Sequence, residues 1–310
     1  MSAGDGDEGP ALAIDLPMGE LIAALRDRLT AGARVLRVLA LDPDRGRGRH
    51  AGERVGEHVH RPYRVWVDLA GRLGLRMATP RRVDADTLEL RFERLDGRAG
   101  WQTGGPASER YGPDSEYARI SKLEDPDLMI DLEDALVRAG LPAEPRILEL
   151  GANRGDGLAM LIALRPALAK AQYVGVDHCA AAIEAARERF PGPQHRFVVA
   201  DVNALASLRL GLFDLVLTMG TLQSPGVDDR ALLRQLVQEQ LGPRGALIVG
   251  VPNCRYHDGE LLHGARQRNY AQPELGLVIK DLAFYRRYLQ QHRRTVHVTG
   301  KHYLLLTAVA

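Results

Sequence analysis

The feature that most constrains this chain is an alternation of short apolar runs with helical segments between residues 146 and 252. RILEL, YVGVD, HRFVVAD, FDLVLTM and ALIVGVPN are continuous apolar runs, as found where both faces of a strand are covered. Helical patterns start at Asp156 and span 179–190 and 227–240. Repetition of strand and helix in this order builds a parallel sheet with helices on both faces. The chain then changes character. A helix over 281–292 precedes TVHVT, a two-residue Gly300-Lys301 turn and HYLLLTAV, which together spell an antiparallel hairpin. The expected fold is α/β, a doubly wound, mostly parallel sheet ending in that hairpin.

The first third reads as a smaller unit. Gly19 to Leu29 has apolar residues at helical spacing, Arg34 to Leu41 reads as a strand, and Arg61 to Leu73 returns to helical spacing. Thr87 to Leu95 alternates as a half-buried strand does. Residues 42–60, rich in Gly and Arg without a period, are expected to form a loop. Residues 96–116 are rich in Gly, Pro and Ser and read as a linker. The expected domains are therefore an accessory α/β region over 1–115, opening on a disordered leader of about a dozen residues, and a second domain over 116–310. The second begins with a helix from Asp127 to Ala139, ended by Gly140 and Pro142.

Composition removes several classes. The net charge of +1, from 41 basic and 40 acidic residues, lacks the basic excess of a general nucleic-acid binder. Only two cysteines occur, Cys179 and Cys254, which excludes a disulfide-dense scaffold and a cysteine zinc cluster. No apolar run approaches the roughly 20 residues of a membrane span, and the acidic, Gly-rich start lacks the pattern of a signal peptide. A cytoplasmic protein without a membrane partner is expected.

The chemistry concentrates in RILELGANRGDGLAML, a strand, a glycine loop and an apolar helix in immediate succession. Gly151, Gly155 and Gly157 let the chain turn tightly and approach a ligand, and Asp156 is expected to cap the helix. The spacing is neither the dinucleotide G-x-G-x-x-G nor a P-loop. Glu149 stands at the carboxyl end of its strand, where α/β sheets bind ligands, and suits a cationic group better than a pyrophosphate. Asp177 ends the next strand, one strand–helix–strand unit later, where an acid commonly holds a ribose diol. Asp201 ends the third. Three successive strand tips thus carry carboxylates.

With these residues in place the sequence resembles the class I S-adenosylmethionine (SAM)-dependent methyltransferases, over roughly residues 120–310. The resemblance implies a Rossmann-like sheet and SAM as cofactor. It implies that Glu149 faces the methionine ammonium through water or neighbouring amides, and that Gly151 and Gly155 line the methionine moiety. Asn153 stands where the family often has a second glycine; Asn tolerates positive φ, so the turn survives. The resemblance further implies Asp177 on the ribose hydroxyls and His178 beside the adenine. Asp201 would accept from the adenine amino group, Val202 would offer a backbone amide, and Met219 to Leu222 would lie beneath the transferring methyl.

The acceptor is expected to be a small molecule, since MGTLQSPG after the fourth strand is worded like family members acting on small molecules. The stretch PNCRYHDGELLHGARQRNY reads as a long polar loop above the strand ends. It is expected to bind the acceptor, with His257 or His263 as general base and Asn253, Tyr256 and Tyr270 as contacts, together with Gln223. Ahead of the cofactor domain, Tyr117, Arg119 and Lys122 could reach the methionine carboxylate or an anionic acceptor. His257, Asp258 and His263 are metal donors without a fixed helical spacing, so no metal is expected. The alternative is an RNA or protein methyltransferase whose arginine-rich residues 45–98 present a large acceptor.

Overall fold

The computed structural model describes residues 10–45, 48–96, 115–264 and 275–310, without the side chains of Glu116 and Tyr117. These residues fall into two compact units, one comprising Met1–Arg98 with Tyr256–Leu262, the other Ala99–Arg255 with His263–Ala310.

The first unit contains α1 (Met18–Thr30), β1 (Val35–Leu41), β2 (Arg54–Val55), β3 (His58–Val59), α2 (Tyr63–Leu73), β4 (Leu75–Met77), β5 (Arg81–Arg82) and β6 (Thr87–Arg94). β6 is the central strand, antiparallel to β1, β4 and β5. Its alternation places Leu88, Leu90 and Phe92 in a core with Leu36, Val38 and Ala40 of β1, Leu21 and Leu25 of α1, and Trp66 and Leu69 of α2. Gly74, in the left-handed region, stops α2. The expected loop over 42–60 is more ordered than its composition suggests. It holds a 3-10 turn at Pro43–Arg45 and the β2–β3 hairpin. Asp15 secures that hairpin by accepting from the Val59 N–H and meeting His58 Nδ1 at 3.0 Å.

The stretch read as a long polar loop also needs correction. It forms β12 (Cys254–His257) and β13 (Glu260–His263), paired across Asp258 and Gly259, both at positive φ. Asp-Gly is the pair that a two-residue hairpin turn of this hand requires, and the polar side chains around it hid the signal. Within the first unit, Arg76 Nε donates to Glu260 at 2.7 Å and its guanidinium reaches the Asp258 carbonyl, while Leu262 is buried.

The second unit runs α3 (Pro126–Ala139), β7 (Arg146–Leu150), α4 (Asp156–Leu164), β8 (Gln172–Asp177), α5 (Ala180–Arg189), β9 (His195–Val199), β10 (Phe213–Met219), α6 (Asp229–Gln235), β11 (Leu241–Pro252), α7 (Gly276–Gln291), β14 (Thr295–Gly300) and β15 (Tyr303–Val309). The sheet order is β14-β15-β11-β10-β7-β8-β9, parallel from β9 to β11, with β15 antiparallel to both its neighbours. The doubly wound sheet and its closing hairpin are as expected. The chain leaves β7 toward β8 and β9, then returns to β10 on β7's other side. Such a reversal opens a crevice at the carboxyl ends of the strands. Leu148, Leu150, Val216 and Leu247 are fully buried in the sheet, which accounts for their continuous apolar runs.

Details differ from expectation. The helix expected over 227–240 is α6 followed by a π-turn at Leu236–Gln240. α7 starts five residues before 281. The final hairpin pairs Gly300 with Leu304, so its turn is longer than two residues. β11 begins with a bulge where the register against β10 shifts, and Arg294 closes it by donating to the Gly245 carbonyl at 2.6 Å and the Gly242 carbonyl at 2.9 Å. No helix among the described residues is long and apolar enough to cross a membrane.

Removing the Arg294 side chain leaves both carbonyls of the bulge without that donor. Arg294→Ala is expected to lower stability by about 1–3 kcal/mol, read as a lower urea midpoint with an unchanged slope.

Candidate functional site

The carboxyl ends of β7, β8, β9 and β10 carry most of the candidate residues. Glu149 on β7 is 2% exposed. Its carboxyl accepts a hydrogen bond from the Tyr173 hydroxyl of β8 and lies against the backbone of Gly157, in the space a side chain there would fill. Burial pushes the Glu149 carboxyl up to about 8, against the opposing effects of the Tyr173 hydrogen bond and the Lys122 charge. The acid at this tip is therefore an enclosed, mostly protonated group near neutral pH.

The loop beyond β7 explains its glycines individually. Gly151 has φ +73°, and Thr221 Oγ1 occupies the volume a Cβ would need; that hydroxyl donates to the Leu150 carbonyl at 2.8 Å. Gly155 has φ +75° and lies 2.7 Å, measured from an ideal Cβ, from the Phe190 ring, so packing as well as conformation excludes a side chain. Asn153 takes φ +47°, the left-handed conformation expected of it. Asp156 does not cap α4: Gly155 holds the cap position, and Asp156 instead accepts from Arg189 Nη1 at 3.1 Å.

Asp177 joins two tips. Its Oδ2 accepts from the Asn153 N–H and its Oδ1 from the Cys179 N–H, each at 2.9 Å. His178, with a side chain 57% exposed, places Nδ1 at 3.4 Å from the same carboxylate. Asp201 is exposed beyond β9 and accepts from the Asn203 N–H, while Val202 is buried. Asn203 donates to the Gly226 carbonyl and accepts from the Asp228 N–H, tying this tip to the loop after β10. Met219 is buried at the end of β10 against Gly250.

The acceptor candidates are more scattered. Gln223 donates to the Tyr285 hydroxyl at 3.3 Å, and that hydroxyl donates to Asp229 at 2.8 Å. Asn253 is buried at the end of β11, its Nδ2 3.1 Å from His263 Nε2 and 3.0 Å from the Lys301 carbonyl. Tyr256 and His257 belong to the segment grouped with the first unit, whereas exposed His263 belongs to the second. Tyr270 and Arg266 lie outside the described residues. Arg119 lines a cavity of about 290 Å³ with Lys122, Arg154, Arg189, Asp156 and Met160. Arg154 donates to the Ala118 carbonyl at 2.8 Å, and its buried Nε has no hydrogen-bond partner. Four cations thus surround one carboxylate. Sequence reasoning found Arg119 and Lys122 but missed Arg154, Arg189 and Tyr173, whose roles depend on contacts across neighbouring elements.

The residues fit SAM. Acids end three consecutive strands, the loop after the first turns through positive φ at Gly151, Asn153 and Gly155, and the Asn153 Oδ1 there is buried without a hydrogen-bond partner. Residues 147–245 match the family model described as a methyltransferase domain, within the stretch whose sequence resembles the SAM-dependent methyltransferases. The chain is 30% identical over 122 residues to trans-aconitate 2-methyltransferase of Paracidovorax citrulli (strain AAC00-1), a match covering 39% of this chain and 44% of that protein. The chain thus spans under half the length of that curated relative. Among solved structures, SAM-bound magnesium protoporphyrin IX methyltransferase of Synechocystis PCC 6803 is 19% identical, covering 66% of this chain and 85% of that one, with a TM-score of 0.41. An O-methyltransferase family protein of Burkholderia thailandensis is 14% identical, covering 64% and 63%, with a TM-score of 0.41. Scores this low add nothing to the strand order itself.

Because the folded chain holds a proton on Glu149 that the unfolded chain releases near 4.5, this group's contribution to stability falls as pH rises from about 4.5 to about 8. Glu149→Gln, which is isosteric and does not titrate, is expected to flatten that slope in urea melts at pH 5 and pH 8. An equal slope in both proteins would refute the assignment.

Proposed function

We propose that the second unit transfers a methyl group from SAM to a small acceptor bearing one or more carboxylates. The observation that carries this reading is the ordered set Glu149, Asp177 and Asp201 at consecutive strand tips, with a cavity lined by Arg119, Lys122, Arg154 and Arg189 in the same unit. Arginine presents a planar donor pair that matches a carboxylate, which suits this lining to an acidic acceptor. The name of the P. citrulli relative, a methyltransferase of trans-aconitate, supports the same class.

SAM supplies a methyl group on a sulfonium sulfur, already a good leaving group. The protein's part is then to bind, align and exclude water. Asp177 and Asp201 would hold the ribose and adenine, with His178 beside the base and Val202 offering its amide. Gly151, Asn153 and Gly155 would shape the methionine end, and Met219 would floor the site. Arg119 and Arg154 would hold the acceptor, with Gln223 and Asn253 at the far ends of β10 and β11.

The need for a base depends on the acceptor atom. A carboxylate oxygen carries no proton at neutral pH, so its methylation requires none, whereas a hydroxyl or amine does. In the second unit His263 is the candidate base; His257 is the candidate on the other hairpin strand. His263→Ala separates the cases. Turnover of carboxylate acceptors should stay within about threefold, while loss of about 100-fold would mean that a proton must be removed.

Calorimetry with SAM and S-adenosylhomocysteine should show binding that Asp177→Ala weakens by at least about tenfold, as expected when a buried acceptor of hydrogen bonds is lost. Transfer of labelled methyl from SAM to a panel of di- and tricarboxylic acids should follow. Arg154→Gln should raise KM for those acids with little change in kcat. Failure of both nucleosides to bind would overturn the cofactor assignment, and labelling confined to neutral compounds would overturn the acceptor class.

A further inference from the structure

Asp125, Asp127 and His302 converge in the second unit, beside Asn253 and His263 but with none of the three assigned above to cofactor or acceptor. Asp125 precedes α3 and uses Oδ1 to cap it, accepting from the Leu128 N–H at 3.1 Å. Its side chain is only 4% exposed, and the second oxygen, Oδ2, is buried with no hydrogen-bond partner. That oxygen faces His302 Nδ1 at 3.9 Å, and Nδ1 is likewise buried and without a hydrogen-bond partner. Asp127 Oδ2 lies 3.6 Å from the same nitrogen. The Asn253 N–H donates to the His302 carbonyl at 2.8 Å, which fixes the turn carrying the imidazole.

These separations are too long for direct hydrogen bonds. A buried carboxylate oxygen and a buried ring nitrogen facing each other across such a gap each incur a desolvation cost unless something is shared between them. Donor atoms about 2.0–2.2 Å from one tetrahedral ion stand roughly 3.4 Å apart, close to the spacing here. We propose that Asp125 Oδ2, Asp127 Oδ2 and His302 Nδ1 bind one divalent first-row transition-metal ion. One imidazole and two carboxylates favour zinc or manganese over magnesium, which prefers an all-oxygen shell.

Lys301 Nζ sits 2.8 Å from Asp127 Oδ2 and supplies positive charge on that side. The ion enters by displacing it, and Lys301 is 34% exposed and on a turn, so it can swing into solvent. The lysine therefore lowers the affinity of the site, a consequence that a purely structural ion-pair cluster would not share.

The test uses the full chain without a histidine tag, stripped with chelator and titrated separately with Zn²⁺ and Mn²⁺ by calorimetry, with metal content measured after dialysis. One equivalent is expected to bind. Asp125→Asn keeps the helix cap, since asparagine also accepts from the Leu128 N–H, yet should weaken binding about tenfold or more. His302→Gln should do the same, with circular dichroism confirming that both variants are folded. Lys301→Gln should tighten binding about tenfold, because the competing charge is gone. The proposal is overturned if neither metal binds stoichiometrically to wild type or to Lys301→Gln. It is equally overturned if Asp125→Asn and His302→Gln bind as wild type does, which would mark the metal as adventitious at other histidines. Neither result depends on SAM binding or methyl transfer.

Discussion

The candidate site rests on one enclosed carboxyl group. Glu149 lies between the Tyr173 hydroxyl and the bare backbone of Gly157, and both neighbours are required for it to fit. A residue larger than glycine at 157 would drive the carboxyl out of its place beside α4. The loss of Tyr173's hydroxyl would leave a buried acid without its donor. From this point the loop turns through Gly151 and Asn153, and Asp177 catches the Asn153 amide, so the tips of β7 and β8 are joined by a single carboxylate. The third tip is tied in differently, by the Asn203 side chain reaching the loop after β10. The strand ends thus form a connected rim rather than three separate acids.

Legibility in the sequence followed the range of the interactions. The sheet could be read because its strands are covered on both faces, so each appears as an unbroken apolar run. The three acids could be read because each closes an apolar strand run in the repeating strand–helix order. Asn153 could be read because positive φ narrows the choice of residue. By contrast, Asp156 looks like a helix cap in sequence, and only the arrival of Arg189 from the next helix shows where its charge goes. Tyr173 looks like one more apolar strand residue until its hydroxyl is found on Glu149. The β12–β13 hairpin was within reach, since Asp-Gly between RYH and ELLH is a strong local signal. The density of charged and aromatic side chains made a loop the simpler reading.

The acceptor side shows the same division. Arg119 and Lys122 are conspicuous because they precede the first helix of the domain. Arg154 and Arg189 are two arginines among many in a chain where arginine supplies nearly all the positive charge. Their convergence on one cavity comes from Arg189 at the end of α5 reaching the Arg154 carbonyl and Asp156 beyond β7, and no periodicity in the sequence announces it. Asp125 and His302 lie 177 residues apart by numbering, and only the meeting of α3 with the last hairpin brings a carboxylate oxygen opposite an imidazole nitrogen.

The grouping of Tyr256–Leu262 with the first unit has a consequence for how the chain is made. Arg76 finds Glu260 across 184 positions, so the first unit cannot complete its own contacts while only its first hundred or so residues have emerged from the ribosome. Most of the parallel sheet of the second unit is synthesised in the meantime. Closing so long a loop adds an entropic cost that grows only slowly with length, but it places the last native contacts of the amino-terminal unit late in the order of assembly. The amino-terminal unit thus draws its core from its first hundred residues, but the contacts that Tyr256–Leu262 add to it can form only after most of the parallel strands have been made.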